Sequence, residues 1–349
     1  MRPKRTLPHP LLSLAAAQEG LVNKAQCDAA GVNKHAVALL IRQGRWARVT
    51  RCVYDTDPEP VELRLRDGRH DDVRRRAAWI GMLAVPDGIA TGACALALLG
   101  VGGLPADLVP EAARPGGMYA SVGAGIVLRR YRSFADVPYR GRQIAALVPA
   151  LAQALPYLPR YEAVAVLSDA LHKGLLDEAG LESVRELVRG RRGAAQVHCL
   201  FDLVEERDGS TAETYARLSF IDNGVPPDGQ QVTFVTGGLV LARVDFVWTL
   251  PDGRYVVVEI DGRAFHSGEA MLADDAARQN GLLATGRVIV LRFPAARALG
   301  DGGRSVGDEM AERLARLGWR PGSPVSPRID LDLPAPSPAA ALNVGVVAG

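Results

Sequence analysis

The spacing of apolar residues changes several times along this chain, and each change marks a different kind of element. Near the N-terminus Val37, Leu40 and Ile41 recur at i, i+3 and i+4, which is one buried face of a helix. Asn33 can cap that helix, Lys34 to Gln43, and Gly44 can end it; Asn23 and Gly31 bracket a shorter helix, Lys24 to Ala30, in the same way. Two short helices joined by a glycine-containing turn make a helix-turn-helix pattern, and the alternating stretch Trp46 to Tyr54 adds a strand pair that reads as a wing. Between about Arg74 and Cys199 the chain is rich in Ala and Leu at helical spacing, with Pro-Gly breaks from Leu104 to Gly117, and predicts a mainly helical middle region. There Leu99 to Gly103 reads as a turn, and Asp169 as part of an exposed helix face.

From about Ser210 a helical segment gives way to period-two runs, Gln231 to Val235, Val240 to Trp248 and Tyr255 to Ile260. Gly237-Gly238 and Pro251-Asp252-Gly253 separate them as turns. A helix-like stretch over residues 270–284 and a strand-like run, Val288 to Phe293, complete the order helix, strands, helix, strand, which predicts a compact α/β unit. After Trp319 the chain is rich in Pro, Ala and Ser, lacks a period, and reads as a flexible tail. The expected organisation is therefore an α/β multidomain chain. It has a winged helix-turn-helix at 1–57, a linker and helix start over Arg64 to Arg76, a mainly helical domain at 74–204, an α/β domain at 205–320 and a tail at 321–349.

Charge sharpens the first assignment. The 41 basic and 39 acidic residues of the 349 nearly cancel, so the net charge of +2 gives no global reason to bind nucleic acid or membrane. Residues 1–51, however, carry nine Lys or Arg against Glu19 and Asp28, a local charge of +7. Lys34, His35 and Arg42 fall on the outer side of the second helix, Arg45 follows it, and Arg48 and Arg51 sit on the wing, positions from which base edges and phosphates are met. Short capped helices with basic outer faces also occur in proteins that never touch DNA. The four cysteines form no CxxC pair, so a reduced, cytoplasmic setting without zinc or disulfides is expected. Pro8 and Pro10 interrupt an N-terminal run that loosely mimics a signal peptide, and no run of about 18 apolar residues exists to span a membrane.

The α/β unit holds the candidate chemistry. Val256, Val258 and Ile260 share one face of a strand, so Glu259 and Asp261 share the other, with Cα atoms about 6.6 Å apart. Asp245 is an unusual residue for a strand centre, and Val244, Phe246 and Trp248 are expected together on the face opposite it. Ionised groups on apolar strands are costly unless paired or bound to a cation. No lysine lies after Lys173, which leaves Arg243, Arg263, Arg278 or a divalent ion as the positive partner; eight Arg against ten acids from Ser210 to Gly300 favour the ion. Plainer readings stand beside these. Ser210-Thr211-Ala212-Glu213 is also a capping box, Asp274 and Arg278 are spaced as an exposed i, i+4 pair, and His266 follows Ala-Phe as a structural histidine could.

Several of these residues, in this order, carry a resemblance. Glu213, Arg243-Val244-Asp245, Val258-Glu259-Ile260-Asp261-Gly262, His266, Asp274 with Arg278 and Asn280, and Gly286 through Leu291-Arg292-Phe293 resemble the Vsr-like branch of the PD-(D/E)xK nuclease superfamily, over about Asp208 to Phe293. The chain as a whole is similar to proteins that join such a domain to an AbiEi-type winged helix-turn-helix, as in antitoxins of type IV toxin-antitoxin systems; the likeness to the latter covers about Leu14 to Tyr54.

The resemblance implies a restriction-endonuclease-like mixed sheet with flanking helices, Mg²⁺ or Mn²⁺ as cofactor, and cleavage of DNA phosphodiesters. It implies that Asp245 and Glu259 hold the metal and that Glu213 supports the ion or its water. His266 would act as base, and Arg263 or Arg278 would stabilise the phosphate. Asp261 stands where the superfamily usually has a lysine. The expected function is a DNA-binding, Mg²⁺-dependent endonuclease acting on double-stranded DNA, with a homodimer as a further expectation. The alternative is a transcriptional repressor or antitoxin, with a cognate toxin as partner and a degenerate nuclease fold. A scaffold with an acidic pocket for a protein partner is a third class.

Overall fold

A computed structural model describes residues 7–191, 193–262, 280–300, 305–322 and 324–333. The chain separates into two compact units, Met1–Val204 and Glu205–Gly349. Within the first unit, side chains knit the N-terminal module to the helices after it.

That module opens with α1 (His9–Ala17), whose Leu11 and Ala15 are buried, so the stretch that mimics a signal peptide is part of the core. β1 (Leu21–Asn23) leads into α2 (Lys24–Ala29), where Asn23 and Gln26 form a reciprocal capping box. Asn33 caps α3 (Lys34–Arg42) by accepting from the amides of His35 and Ala36. β2 (Ala47–Arg48) and β3 (Val53–Asp55) complete an antiparallel sheet of order β1-β3-β2. Val37 and Leu40 pack with Cys27, Trp46 and Tyr54 beneath it, as the helical spacing predicts.

The stretch expected as a linker and helix start contains that start in α5 (His70–Ala84), while the part expected as linker is itself helical, α4 (Val61–Arg66). Arg76 of α5 is buried and bonds both the Asp55 carboxylate and the Glu19 carbonyl, while Arg75 pairs with Glu19 at 2.9 Å. These contacts explain why charged residues here do not mark a solvated linker. The arginines of α5 are anchors to the first module.

The regular structure of the middle region is helical for the most part, and it also holds a sheet that the spacing did not predict. β4 (Ile89–Ala90), β5 (Glu111–Ala113), β6 (Val127–Arg129), β7 (Asp136–Tyr139) and β8 (Arg142–Ala145) form a mixed sheet of order β6-β5-β4-β8-β7. With it come α6 (Gly92–Leu98), α7 (Leu147–Ala154), α8 (Arg160–His172), α9 (Glu178–Val188) and α10 (Ala194–His198). Strands of two to four residues are too short to display a period of two, so the Ala-rich composition hid them. The turn after α6 is packed rather than open. A Cβ on Gly103, whose φ is +79°, would lie 2.7 Å from that of Ala165, and Asp169 accepts the Gly102 amide at 2.6 Å. Asp169 is thus a half-buried anchor of this turn and does not belong to an exposed face.

In the second unit α11 (Thr211–Asp222) precedes β9 (Gly229–Thr236), β10 (Leu239–Thr249) and β11 (Tyr255–Asp261), which are antiparallel neighbours close to the expected bounds. β12 (Val288–Pro294) runs parallel to β11; α12 (Ala295–Ala298) and α13 (Val306–Arg316) come next. Residues from α11 and α13, among them Phe220, Met310 and Leu314, cover one face with Phe246, Trp248 and Val258. Val232, Phe234, Val244, Tyr255 and Val257 form a second apolar layer with Leu282.

The tail is shorter than expected. Arg328–Asp330 forms β13, parallel to β9, giving the order β12-β11-β10-β9-β13, and Ile329 and Leu331 enter the second layer. Apolar residues at 329, 331 and 333 with Asp between them are a period-two signal that the Pro-rich surroundings obscured.

α11 is fixed to the sheet by a buried cluster. Arg217 grips Asp208 through Nε at 3.0 Å and Nη2 at 2.7 Å, and Gln230 of β9 donates to the same carboxylate at 3.0 Å. Arg217→Ala would leave Asp208 buried without a counter-ion, at a cost of about 3–5 kcal/mol; Gln230→Ala would cost about 1 kcal/mol. Urea denaturation followed by tryptophan fluorescence checks both the size and the order of these losses.

Candidate functional site

Asp245 occupies an irregular point of the sheet. Residues at i and i+2 of a regular strand share a face. Val244 nevertheless belongs to one apolar layer while Phe246 and Trp248 belong to the other, so the expected common face for these three is corrected: the alternation breaks at Asp245. On one side, Gln231 lies between the pairs Val244–Val232 and Phe246–Gln230, and its φ of +52° is in the left-handed region that non-glycine residues seldom occupy. On the other side, pairing with β11 runs from Thr249–Tyr255 to Phe246–Val258 and ends there. The amide of Ile260 donates to Asp245 Oδ2 at 2.8 Å. β10 leaves β11 at this residue, and the carboxylate satisfies an amide that the ladder no longer serves.

Glu213 approaches from α11. Ser210 caps the helix by accepting the Glu213 amide at 3.2 Å, and Glu213 returns the bond, accepting from Ser210 Oγ at 2.9 Å and from the Gly209 amide at 3.0 Å. Ser210 thus caps the helix, but Glu213 reaches the Gly209 amide rather than that of Ser210, so the reciprocal capping box is not closed, and these bonds do not exhaust the side chain. Gln231 Nε2 donates to Glu213 at 2.9 Å and to Asp245 at 3.2 Å, so one amide links the two carboxylates. Burial raises the pKa of both. The Asp245 charge adds to the rise at Glu213, while the Ile260 amide and Gln231 partly oppose it at Asp245.

Glu259 and Asp261 lie on the face opposite Val256, Val258 and Ile260, as the alternation predicts. Their positive partner comes from a residue that sequence reasoning did not propose for it. Arg292 stands in register with Glu259 on the parallel strand β12 and reaches Glu259 at 2.8 Å and Asp261 at 3.8 Å. The charge of Arg243 opposes part of the rise that burial gives the Asp245 carboxyl. Arg263, His266, Asp274 and Arg278 lie outside the described residues.

The fold thus brings Glu213, Gln231 and Asp245 together and sets the Glu259, Asp261 and Arg292 group beside them through the Ile260 amide. Carboxylate oxygens are hard donors suited to Mg²⁺ or Mn²⁺, and raised pKa values of neighbouring buried carboxyls are what a bound cation would reverse. Among the described residues no three Asp, Glu, His or Cys side chains converge on one point. Glu259 is turned toward Arg292.

In the N-terminal module, Lys34, His35, Arg42, Arg45, Arg48 and Arg51 are all exposed, and none forms an ion pair with another described residue. Arg48 lies over the Tyr54 ring, 5.7 Å from its centroid. The two site residues missed in the sequence differ in how visible they were. Arg292 is the one charge in Val288 to Phe293 and stood out in the pattern, whereas nothing in the sequence marks Gln231, whose role depends on its backbone angle.

Both raised carboxyls hold their protons more tightly in the folded chain. Their contribution to stability is therefore full below the ordinary carboxylate range and is lost as pH rises through their raised values. Asp245→Asn removes one of the two charges while keeping an acceptor for Ile260. Its thermal midpoint should exceed the parent's by a few degrees near pH 7, and the gap should close near pH 3. A gap of equal size at both pH values in thermal scans would contradict the charge argument.

No protein-family profile matches the chain. An uncharacterized protein of Mycobacterium tuberculosis strain CDC 1551 / Oshkosh is 33% identical over 133 residues, which is 38% of this chain and 48% of that protein. An uncharacterized protein of strain ATCC 25618 / H37Rv matches with the same figures. The match spans about half the length of these curated relatives. No helix among the described residues is long and apolar enough to cross a membrane.

Proposed function

We propose that the second unit hydrolyses phosphodiester bonds of double-stranded DNA with the help of Mg²⁺ or Mn²⁺, and that the N-terminal module is a winged helix-turn-helix that binds the DNA. The observation that carries this reading is Asp245 at the point where β10 leaves β11, with Glu213 bridged to it by Gln231. Strand divergence at a buried acid opens a gap between two inner strands of the sheet, which a phosphate must approach. Support for the DNA-binding module comes from the order α1-β1-α2-α3-β2-β3 and from six exposed basic or histidine side chains on α3 and the strand pair after it.

In this reading Asp245 and Glu259 hold the divalent ion and Glu213 orients the attacking water. A bound ion polarises the phosphate and lowers the pKa of that water. Gln231 fixes the spacing of Asp245 and Glu213, and the Ile260 amide keeps one Asp245 oxygen in place, leaving the other directed toward Gln231. The proton of the water is assigned to His266. The ion pair of Arg292 with Glu259, next to an aspartate at the usual lysine position, favours a second reading: a DNA-binding repressor or antitoxin that does not cut.

Incubation with supercoiled DNA and Mg²⁺ should give nicked circles that EDTA suppresses. Asp245→Ala should slow nicking on the order of a hundredfold or more while retaining DNA binding. Retarded but uncut DNA for both proteins would select the second reading. Independently, Arg48→Ala/Arg51→Ala should weaken binding on every sequence and lower the log-log salt slope by about 0.9 for each phosphate no longer neutralised, measured by fluorescence anisotropy across a salt series.

A further inference from the structure

The acidic face of the second unit already holds a cation of its own. β11 and β12 are parallel and in register, so Glu259 and Arg292 project from paired positions on one face of the sheet, and Asp261 lies two residues later on that face. Arg292 Nη2 lies 2.8 Å from Glu259 and Nη1 3.8 Å from Asp261, and Arg292 and Glu259 are each only about a quarter exposed. Asp261 is 51% exposed, so the group opens to solvent and a ligand can reach it. Glu259 and Asp261 thus face one guanidinium. Two carboxylates against one guanidinium leave this group one negative charge, which would repel a phosphodiester that approached without further positive charge.

A guanidinium bound to a carboxylate and a divalent ion bound to the same carboxylate are alternatives, because each takes the same oxygen lone pairs. Once Glu259 turns to an ion, Arg292 loses its closest partner while remaining a permanent cation with a planar fork suited to phosphate oxygens. We propose that Arg292 competes with the divalent ion for Glu259 and Asp261 and, when displaced, becomes a ligand of the DNA phosphate. It thereby couples ion binding to DNA binding and supplies, from the neighbouring strand, the positive charge that Asp261 does not. This inference rests on the nuclease reading of the same site.

The coupling is reciprocal: DNA must tighten ion binding by the factor by which the ion tightens DNA binding. The test is isothermal titration of the full chain with Ca²⁺, alone and with a short duplex, for the parent, Arg292→Gln and Arg292→Lys, with circular dichroism to verify folding. Arg292→Gln should bind Ca²⁺ about tenfold more tightly than the parent without DNA, and DNA should no longer tighten it. Arg292→Lys should restore some of the coupling, which a merely structural role would not, and it carries the test alone where Arg292→Gln does not fold.

Equal or weaker Ca²⁺ binding by Arg292→Gln, or no Ca²⁺ binding by any of the three, would overturn the proposal. Its failure is separable from that of the nuclease reading. A parent that nicks DNA while Arg292→Gln leaves ion affinity unchanged defeats only the role of Arg292. A parent that never nicks, with ion affinity shifted as described, defeats only cleavage.

Discussion

The hydrogen bond from the Ile260 amide to the Asp245 carboxylate organises the second unit. A sheet cannot let neighbouring strands diverge without leaving backbone groups unserved, and a buried amide without an acceptor costs on the order of 1–3 kcal/mol. Asp245 removes that cost where β10 leaves β11, so the strands separate there and at no earlier pair. The same change of direction moves Val244 and Phe246 into different apolar layers and obliges Gln231 to take a left-handed backbone angle on the other flank. One side chain thus marks the gap between these two inner strands and puts its own charge there.

The remaining polar groups respond to the charge so placed. Two networks keep carboxylates inside the unit by different means. Asp208 is neutralised by Arg217 and completed by Gln230, a closed arrangement that fixes α11. Glu213 and Asp245 instead share a neutral amide, and their protons are held more tightly than usual. The first arrangement contributes stability. The second costs stability at neutral pH, as groups kept for binding or chemistry commonly do.

The first unit shows a different economy of charge. Arg75 and Arg76 of α5 turn inward to Glu19 and Asp55, tying the N-terminal module to the helices and sheet after it. The basic residues of α3 and the strand pair beyond it stay outside. Arginines close in sequence thus serve opposite purposes, and burial, not composition, separates them.

Much of the architecture was legible without the structure. The caps at Asn23, Asn33 and Ser210, the turns at Gly237-Gly238 and Pro251-Asp252-Gly253, and the strands of the second unit arise from local rules, because hydrogen bonding at helix ends and the two-residue alternation of strands act over a few neighbouring positions. The exposed placement of Lys34 and Arg48 and the shared face of Glu259 and Asp261 were fixed by the same periodicities. The tertiary structure alone decided what depends on partners distant in sequence. The short strands of the middle sheet are stabilised by neighbours rather than by their own pattern, β13 is recruited from an apparent tail by the edge of β9, and Arg76 is drawn inward by Asp55. At the site, Arg292 finds Glu259 only because β12 is parallel to β11 in one register. Gln231 joins Glu213 to Asp245 only because the backbone turns there, and no local rule of sequence encodes either meeting.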